Sequence, residues 1–338
     1  MTSPSPSSAP IEQLSRAERL LDLVAPKLQL VETELARNFE SSIKTIKDVG
    51  DHILAGGGKR LRPALLLLVS RMLRYEGHRD VTYAAVVEFI HNATLVHDDI
   101  IDEAEVRRGR TSINYRWGNN LTVLVGDYIF MHSMSMALAE GNLDVLRLLS
   151  TTTIKMIEGE ILALEQNGRA NLSVDDYFSI VERKTALLFG ACCQIPAYLV
   201  DQPAAIGQSL FDYGVNLGIC FQLIDDILDF TSSTEVLGKP ALSDLKEGKL
   251  TLPLILAMPR ATPAEREKIA LIAAVKSFDG IDPAEMLALV RKYETLDETR
   301  AIARDYANRA RAALEPFADS PAKEALELAL DFVLERDR

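Results

Sequence analysis

Proline is missing from the whole stretch between Ala64 and Ile195. A proline inside a helix costs about 3 kcal/mol, so a long proline-free run with helical periodicity is where long helices can form. Strand signals are equally scarce. No segment alternates strictly between apolar and polar residues within hairpin turns, and Asn167-Gly168 is the only Asn-Gly hairpin dipeptide. It falls between two helical patterns and reads as a helix–helix loop. Cysteine is rare too: Cys192, Cys193 and Cys220 are the only three. Two of them are adjacent and the set is odd, which excludes a disulfide framework and gives no metal-ligand spacing. They read as small core residues in a reducing compartment. The strongest apolar run, Ala64 to Val69, is far too short to span a bilayer. Positive charge is in deficit, with a net charge of −12, which argues against a nucleic-acid-binding surface. The first ten residues are rich in Ser and Pro and have neither the basic start nor the apolar centre of a signal peptide, so they read as a disordered tail. The expected location is the cytoplasm, without stable insertion in a membrane.

What remains is a chain of 338 residues, 48% hydrophobic and 25% charged, enough for one large core. Helices are predicted over 11–25, 28–39, 44–54, 63–75, 81–102, 121–139, 143–166, 176–188 with a continuation past Pro196, and 204–230. The segment 231–251 is polar and reads as loop. Thr262-Pro263, Asp282-Pro283 and Ser320-Pro321 pair an N-cap with a proline and start three further helices. No linker appears after residue 10 and no repeat is visible. The fold class is therefore all-α, with residues 11–338 as one domain.

Three constellations carry chemistry. Asp98-Asp99-x-x-Asp102 ends a long apolar helix, and Asp225-Asp226-x-x-Asp229 repeats the spacing inside Phe221–Phe230. Neighbouring carboxylates on a helix repel, and one such triad alone could be a solvated surface turn. The second triad has strongly apolar flanks, where acids need cations to be tolerated. Oxygen ligands without paired Cys or His suit Mg²⁺, which binds through one or two carboxylates and completes its shell with water and substrate phosphates. The third constellation is Gly56-Gly57-Gly58-Lys59-Arg60-Leu61-Arg62-Pro63. Glycines let the backbone approach an anion and the cations supply donors. It is not a P-loop, because the glycine-to-Gly-Lys-Ser/Thr spacing is absent. Glu88-x-x-His91 fits half of a di-iron pattern, but no second copy exists.

With these motifs, Arg107-Arg108-Gly109, Gly126-Asp127, Lys184-Thr185, Phe221-Gln222, Gly238-Lys239-Pro240 and Asp244 to Lys249, almost the whole chain after the tail resembles the trans-isoprenyl diphosphate synthases, the polyprenyl synthetase family. The resemblance implies a single bundle of long antiparallel helices around a central cavity, the isoprenoid synthase fold, and a homodimer. It implies a Mg²⁺-dependent enzyme that condenses isopentenyl diphosphate onto an allylic diphosphate such as farnesyl diphosphate. In that reading Asp98, Asp99, Asp102, Asp225 and Asp226 bind the metal ions, with Asp229 supporting them. Arg107, Lys184, Lys239 and Lys249 contact the allylic diphosphate. Lys59, Arg62, His91 and Arg108 hold isopentenyl diphosphate, Thr185 and Gln222 position the reacting ends, and Arg60 is a structural neighbour.

Short-chain members of the family tend to carry a bulky aromatic five or four residues before the first Asp. Here Ala93 and Thr94 stand there, with Phe89 and Ile90 one turn deeper and Met131 expected to face the same tunnel from the next helix. The pattern predicts a long product serving quinone side chains, octaprenyl first and heptaprenyl to decaprenyl as neighbours. A short-chain synthase, a class I terpene cyclase, a non-catalytic subunit of a two-part synthase and a helical scaffold are the competing readings.

Overall fold

The computed structural model describes residues 21–107, 109–231 and 242–336. The Ser/Pro-rich tail and the first predicted helix, apart from its last residues, lie outside them. The proline-free stretch is filled by long helices. The first elements are α1 (Ala25–Asn38), α2 (Lys44–Ala55), α3 (Leu61–Met72) and α4 (Arg79–Ile101), followed by a two-residue hairpin, β1 (Val106–Arg107) with β2 (Arg110–Thr111). Then come α5 (Ile113–Trp117), α6 (Asn119–Ala139), α7 (Leu143–Gln166) and α8 (Val174–Val181). A π-helical turn (Glu182–Ala186) joins α8 to α9 (Leu187–Leu199), which carries Pro196 inside it, and α10 spans Ala204–Thr231. The C-terminal part holds α11 (Ser243–Lys246), α12 (Leu252–Ala257), α13 (Pro263–Val275), α14 (Pro283–Lys292), α15 (Thr295–Ala313) and α16 (Pro321–Leu334).

The predicted start signals are made in space. Thr262 forms a reciprocal capping box with Glu265, and Ser173 accepts the Asp176 amide at 3.1 Å. Asp282 and Ser320 cap α14 and α16 through their side chains. Five elements differ from the sequence reading. The hairpin and α5 fill the region after the first acidic triad, α11 forms in the segment read as loop, α12 follows directly after that segment, and α15 starts without a proline. Each is short or lacks a side-chain cap, so packing rather than local propensity specifies it.

One core runs through the molecule, from Val24 to Val333. The run Ala64 to Val69 is buried on all sides of α3, as expected of a helix apolar all round. Cys192, Cys193 and Cys220 are buried free thiols, as the sequence reading had them. The helix α4 packs along α6, α3 and α1, while α10 packs against α9 and α15. By length and composition alone α6 could also cross a bilayer, which reading the strongest contiguous run overlooks. One of its faces is packed on α4, and the other exposes Val123, Leu124, Met131 and Leu138.

Candidate active site

A cavity of about 1280 Å³ opens between the C-terminal half of α4, α7, the π-turn and α10. His91, Thr94 and Asp98 line it from α4, Glu160 from α7, Lys184 and Thr185 from the π-turn, and Gln222 and Asp225 from α10. The loop from Gly56 to Arg62 and the end of α16 close its other side. A second cavity of about 450 Å³ shares Glu160, Lys184, Thr185 and Gln222, and adds Asp102, Asp226, Asp244 and Lys249. The two acidic motifs and both groups of cations thus surround one connected space.

The first triad divides by helix geometry. Successive residues on a helix are about 100° apart, so Asp98 and Asp102 share a face and Asp99 does not. Asp98 enters the large cavity; burial raises its carboxyl to about 6, against the pull of Lys184. Asp102 accepts Lys249 Nζ at 2.9 Å. Asp99 points away, only 3% exposed, and accepts Arg107 Nε at 2.6 Å. Its own carbonyl accepts Asn114 Nδ2 at 3.0 Å. Burial raises the Asp99 carboxyl in spite of Arg107. Asp99, expected as a metal ligand, is thus not brought into the cavity beside Asp98; it fixes the arginine and the turn that follows.

The second triad divides too. Asp225 faces the cavity and is paired with Arg336 at 3.0 Å. Asp226 is buried; it accepts Tyr177 OH at 2.5 Å, Gln222 Nε2 at 3.0 Å and the Leu252 amide at 3.3 Å. Burial raises it to about 7, although Tyr177 and Gln222 favour the carboxylate. Asp229 accepts the Ser243 amide at 3.1 Å and Ser243 Oγ at 2.8 Å, which seats the first residue of α11 against α10. Asp229, expected as a supporting metal ligand, is not brought into either cavity: α10 buries it one turn below Asp225, where it holds Ser243 at the start of α11.

The cations follow the same division of labour. The π-turn bulges Lys184 and Thr185 toward the cavity, a distortion often found at functional sites. It can do so because α7 presents Gly159 there: a Cβ on Gly159 would lie 2.7 Å from Arg183 Cβ and 2.8 Å from the Lys184 nitrogen. Lys184 pairs with Glu160, and Thr185 Oγ1 donates to Gln222 Oε1 at 3.1 Å. Burial pulls the Lys249 ammonium down, but Asp102 and Glu247 more than reverse this and hold it well above its ordinary range. Lys59 lies 5.7 Å from the Phe332 ring, and Arg62 stacks 4.4 Å from Phe189. Burial and the nearby Arg336 lower the Lys59 pKa. Arg60 lies at the cavity wall but is held by Glu32 at 2.5 Å and Glu88 at 2.6 Å, in keeping with a structural role. That pairing also occupies the glutamate of the di-iron-like pattern. Arg108 and Lys239 lie outside the described residues.

A family model, Polyprenyl synthetase, matches residues 43–288. The octaprenyl diphosphate synthase of Escherichia coli K12 is 38% identical over 322 residues, 95% of this chain and 99% of that one. A decaprenyl diphosphate synthase from Rhodobacter capsulatus superposes with a TM-score of 0.89 at 37% identity, covering 95% of this chain and 99% of the other. A polyprenyl synthase from Caulobacter crescentus CB15, complexed with calcium and isoprenyl diphosphate, gives 0.90 at 36% identity, with 97% and 100% covered. The chain belongs to the polyprenyl synthetase family. Its fold is the all-α isoprenoid synthase fold, and the protein is a trans-prenyl diphosphate synthase.

The donor set fits the divalent metal use of this family. Among the described residues no three acids or histidines converge into a closed metal cage. The carboxylates of Asp98, Asp102 and Asp225 instead line one connected space from two helices. Mg²⁺ suits such an open set, because it retains waters and takes substrate phosphates as its remaining ligands.

The residues expected to measure product length are placed less simply. Ala93, Phe89 and Ile90 are all buried, and none of them lines the large cavity. Phe89 packs edge-on against Phe39, with ring centres 5.1 Å apart. Thr94 forms the cavity wall on α4, opposite Ile157 and Ile161 of α7. Met131 is 63% exposed on the outer face of α6, so its expected place in the tunnel of this chain is corrected. Three contributors had no signal in the sequence: Tyr177 beneath Asp226, Glu160 beside Lys184, and Arg336 on Asp225.

Proposed function

We propose that this prenyltransferase is a Mg²⁺-dependent long-chain synthase, with octaprenyl diphosphate as its favoured product, acting as a cytoplasmic homodimer that supplies quinone side chains. The observation that carries this reading is the single cavity bounded by Asp98 and Asp225 on facing helices, with the glycine–cation loop at its edge. Mg²⁺ held by Asp98, Asp102 and Asp225 would supply Lewis acidity to the departing diphosphate.

The chain's own groups do the remaining work. Lys184, Lys249 and Arg107 place positive charge where the allylic carbon–oxygen bond breaks, and fixed charge in a dry site stabilises a leaving anion. Lys59, Arg62 and His91 hold isopentenyl diphosphate so that its double bond meets the allylic carbon. The Thr185–Gln222 pair sits between the two ends. The new bond leaves a proton to be lost, and the released diphosphate can accept it, so no protein base is required. Leu95, Met156, Ile157 and Ile161 line the path with apolar surface, which keeps water from the carbocation.

Product length rests on the missing aromatic plug at Ala93 and Thr94 and on the size of the cavity. Named relatives make octaprenyl and decaprenyl diphosphate. A second copy of the chain would cover the apolar stripe formed by Leu124, Met131 and Leu138 of α6 and Ile154 of α7, all more than half exposed. Buried free cysteines suit the cytoplasm.

The deciding experiment incubates purified protein with farnesyl diphosphate, labelled isopentenyl diphosphate and Mg²⁺, then sizes the dephosphorylated products by chromatography. A ladder ending near eight prenyl units is expected. A product that stops at three or four units would replace this reading with a short-chain synthase.

A further inference from the structure

Outside the two triads, one histidine stands at the junction of the two substrate-holding loops. His52 lies in the last turn of α2, four residues before Gly56. Its Nε2 is 2.8 Å from the Thr111 carbonyl oxygen of β2. Its Nδ1 is 3.1 Å from Arg116 Nη1 of α5. Arginine can only donate, so Nδ1 accepts and Nε2–H donates to Thr111. The ring is fixed edge-on against Trp117, 5.2 Å between centres, and Arg116 stacks on the same indole at 4.4 Å.

These contacts connect two places the reaction needs. Thr111 pairs with Val106, so the strand gripped by His52 is the partner of the strand that carries Arg107. Arg107 in turn holds Asp99, and Asn114 of α5 holds the Asp99 carbonyl. On its other side His52 ends the helix from which the Gly56–Lys59 loop departs. A small cavity of about 50 Å³ lies between, bounded by His52, Gly56, Asn92, Asp99 and Arg107.

We infer that His52 is a positioning residue that couples the allylic-side arginine, Arg107, to the isopentenyl-side loop, Gly56 to Lys59. The inference rests on the substrate assignments proposed above for those two loops. Moving either loop displaces Thr111, His52 and the end of α2 together. Occupation of one diphosphate site then favours the loop position that binds the other, a reciprocal coupling.

The test uses the full-length enzyme with His52→Ala and His52→Gln. Isopentenyl diphosphate is titrated by calorimetry with and without a thio analogue of farnesyl diphosphate that cannot ionise. In the unaltered enzyme the analogue is expected to tighten isopentenyl diphosphate binding about fivefold. His52→Ala should abolish that enhancement and raise both KM values about fivefold or more, while kcat changes less than threefold. His52→Gln, whose amide can still donate to Thr111, should restore most of both. Should His52→Ala fail to fold, the exposed Arg116→Met removes the Nδ1 partner and should halve the enhancement. Unaltered KM values and enhancement in His52→Ala would overturn the inference. So would a lowered melting temperature with no selective loss of coupling, or no enhancement in the unaltered enzyme. The product assay on the unaltered enzyme reports separately on the proposed reaction.

Discussion

Arg336 Nη1 stands 3.0 Å from Asp225 Oδ1, which places a cation of the C-terminal region on the carboxylate of α10 that faces the cavity. The guanidinium also stacks 4.6 Å from the Phe221 ring, one turn earlier on the same helix. Asp225 is a proposed metal ligand, so Arg336 and a divalent ion compete for it. The pair is partly solvated, and such pairs contribute about 0.2–1 kcal/mol. Arg336→Gln is therefore expected to tighten Mn²⁺ or Mg²⁺ binding to the substrate-free protein by up to about fivefold, read by calorimetry. Unchanged affinity would mean that the pair does not persist in solution.

Asp98 and Asp99 are neighbours in sequence with opposite orientations, and their substitution should separate two effects. Asp98→Ala removes a carboxylate from the cavity and should lower kcat by about 10²–10³, the scale seen when one stabilising group is lost from a reacting centre. Stability should hold or rise, because burial already disfavours ionised Asp98. Asp99→Ala leaves Arg107 without its 2.6 Å partner and should lower both the melting temperature and turnover. Thermal melts beside steady-state kinetics check the pair. Activity that survived EDTA would refute the metal reading of Asp98.

The apolar stripe on α6 gives a third expectation. Leu124 is 65% and Leu138 60% exposed in the isolated chain. A double change, Leu124→Glu with Leu138→Glu, should convert a dimer into monomers in sedimentation velocity. An unaltered enzyme that sediments as a monomer would remove the homodimer proposal.

The fold was legible to the extent that it follows from periodicity and proline. Most of the helix pattern followed from apolar periodicity and from the lack of proline between residues 64 and 195, and the three proline-marked starts needed only caps. The site was legible as motifs but not as orientations. Spacing put six aspartates near one another. It could not show that Asp99 would be drawn to Arg107 or Asp229 to Ser243, because those partners come from the hairpin and from α11, which have no local signal. The π-turn at Lys184 was equally hidden, since the sequence reads as one continuous helix and only the close approach of Gly159 makes room for the bulge. Tyr177 and Arg336 are long-range partners of α10 and belong to no motif.

The clearest contrast between motif and orientation concerns product length. Position alone nominates Ala93, and the cavity wall nominates Thr94, whose side chain makes only a local hydrogen bond to the His91 carbonyl at 2.8 Å. Thr94→Phe should project a ring into the cavity, stop elongation at about the farnesyl or geranylgeranyl stage, and leave the melting temperature nearly unchanged. Ala93→Tyr starts from a residue 2% exposed. Overpacking a filled core costs about 1–3 kcal/mol, so this variant should shorten the product only together with a fall in stability. Product chromatography with a thermal melt distinguishes the two. If Thr94→Phe still made full-length product, the growing chain would have to leave α4 before that position, and the wall formed by Ile157 and Ile161 on α7 would be the ruler.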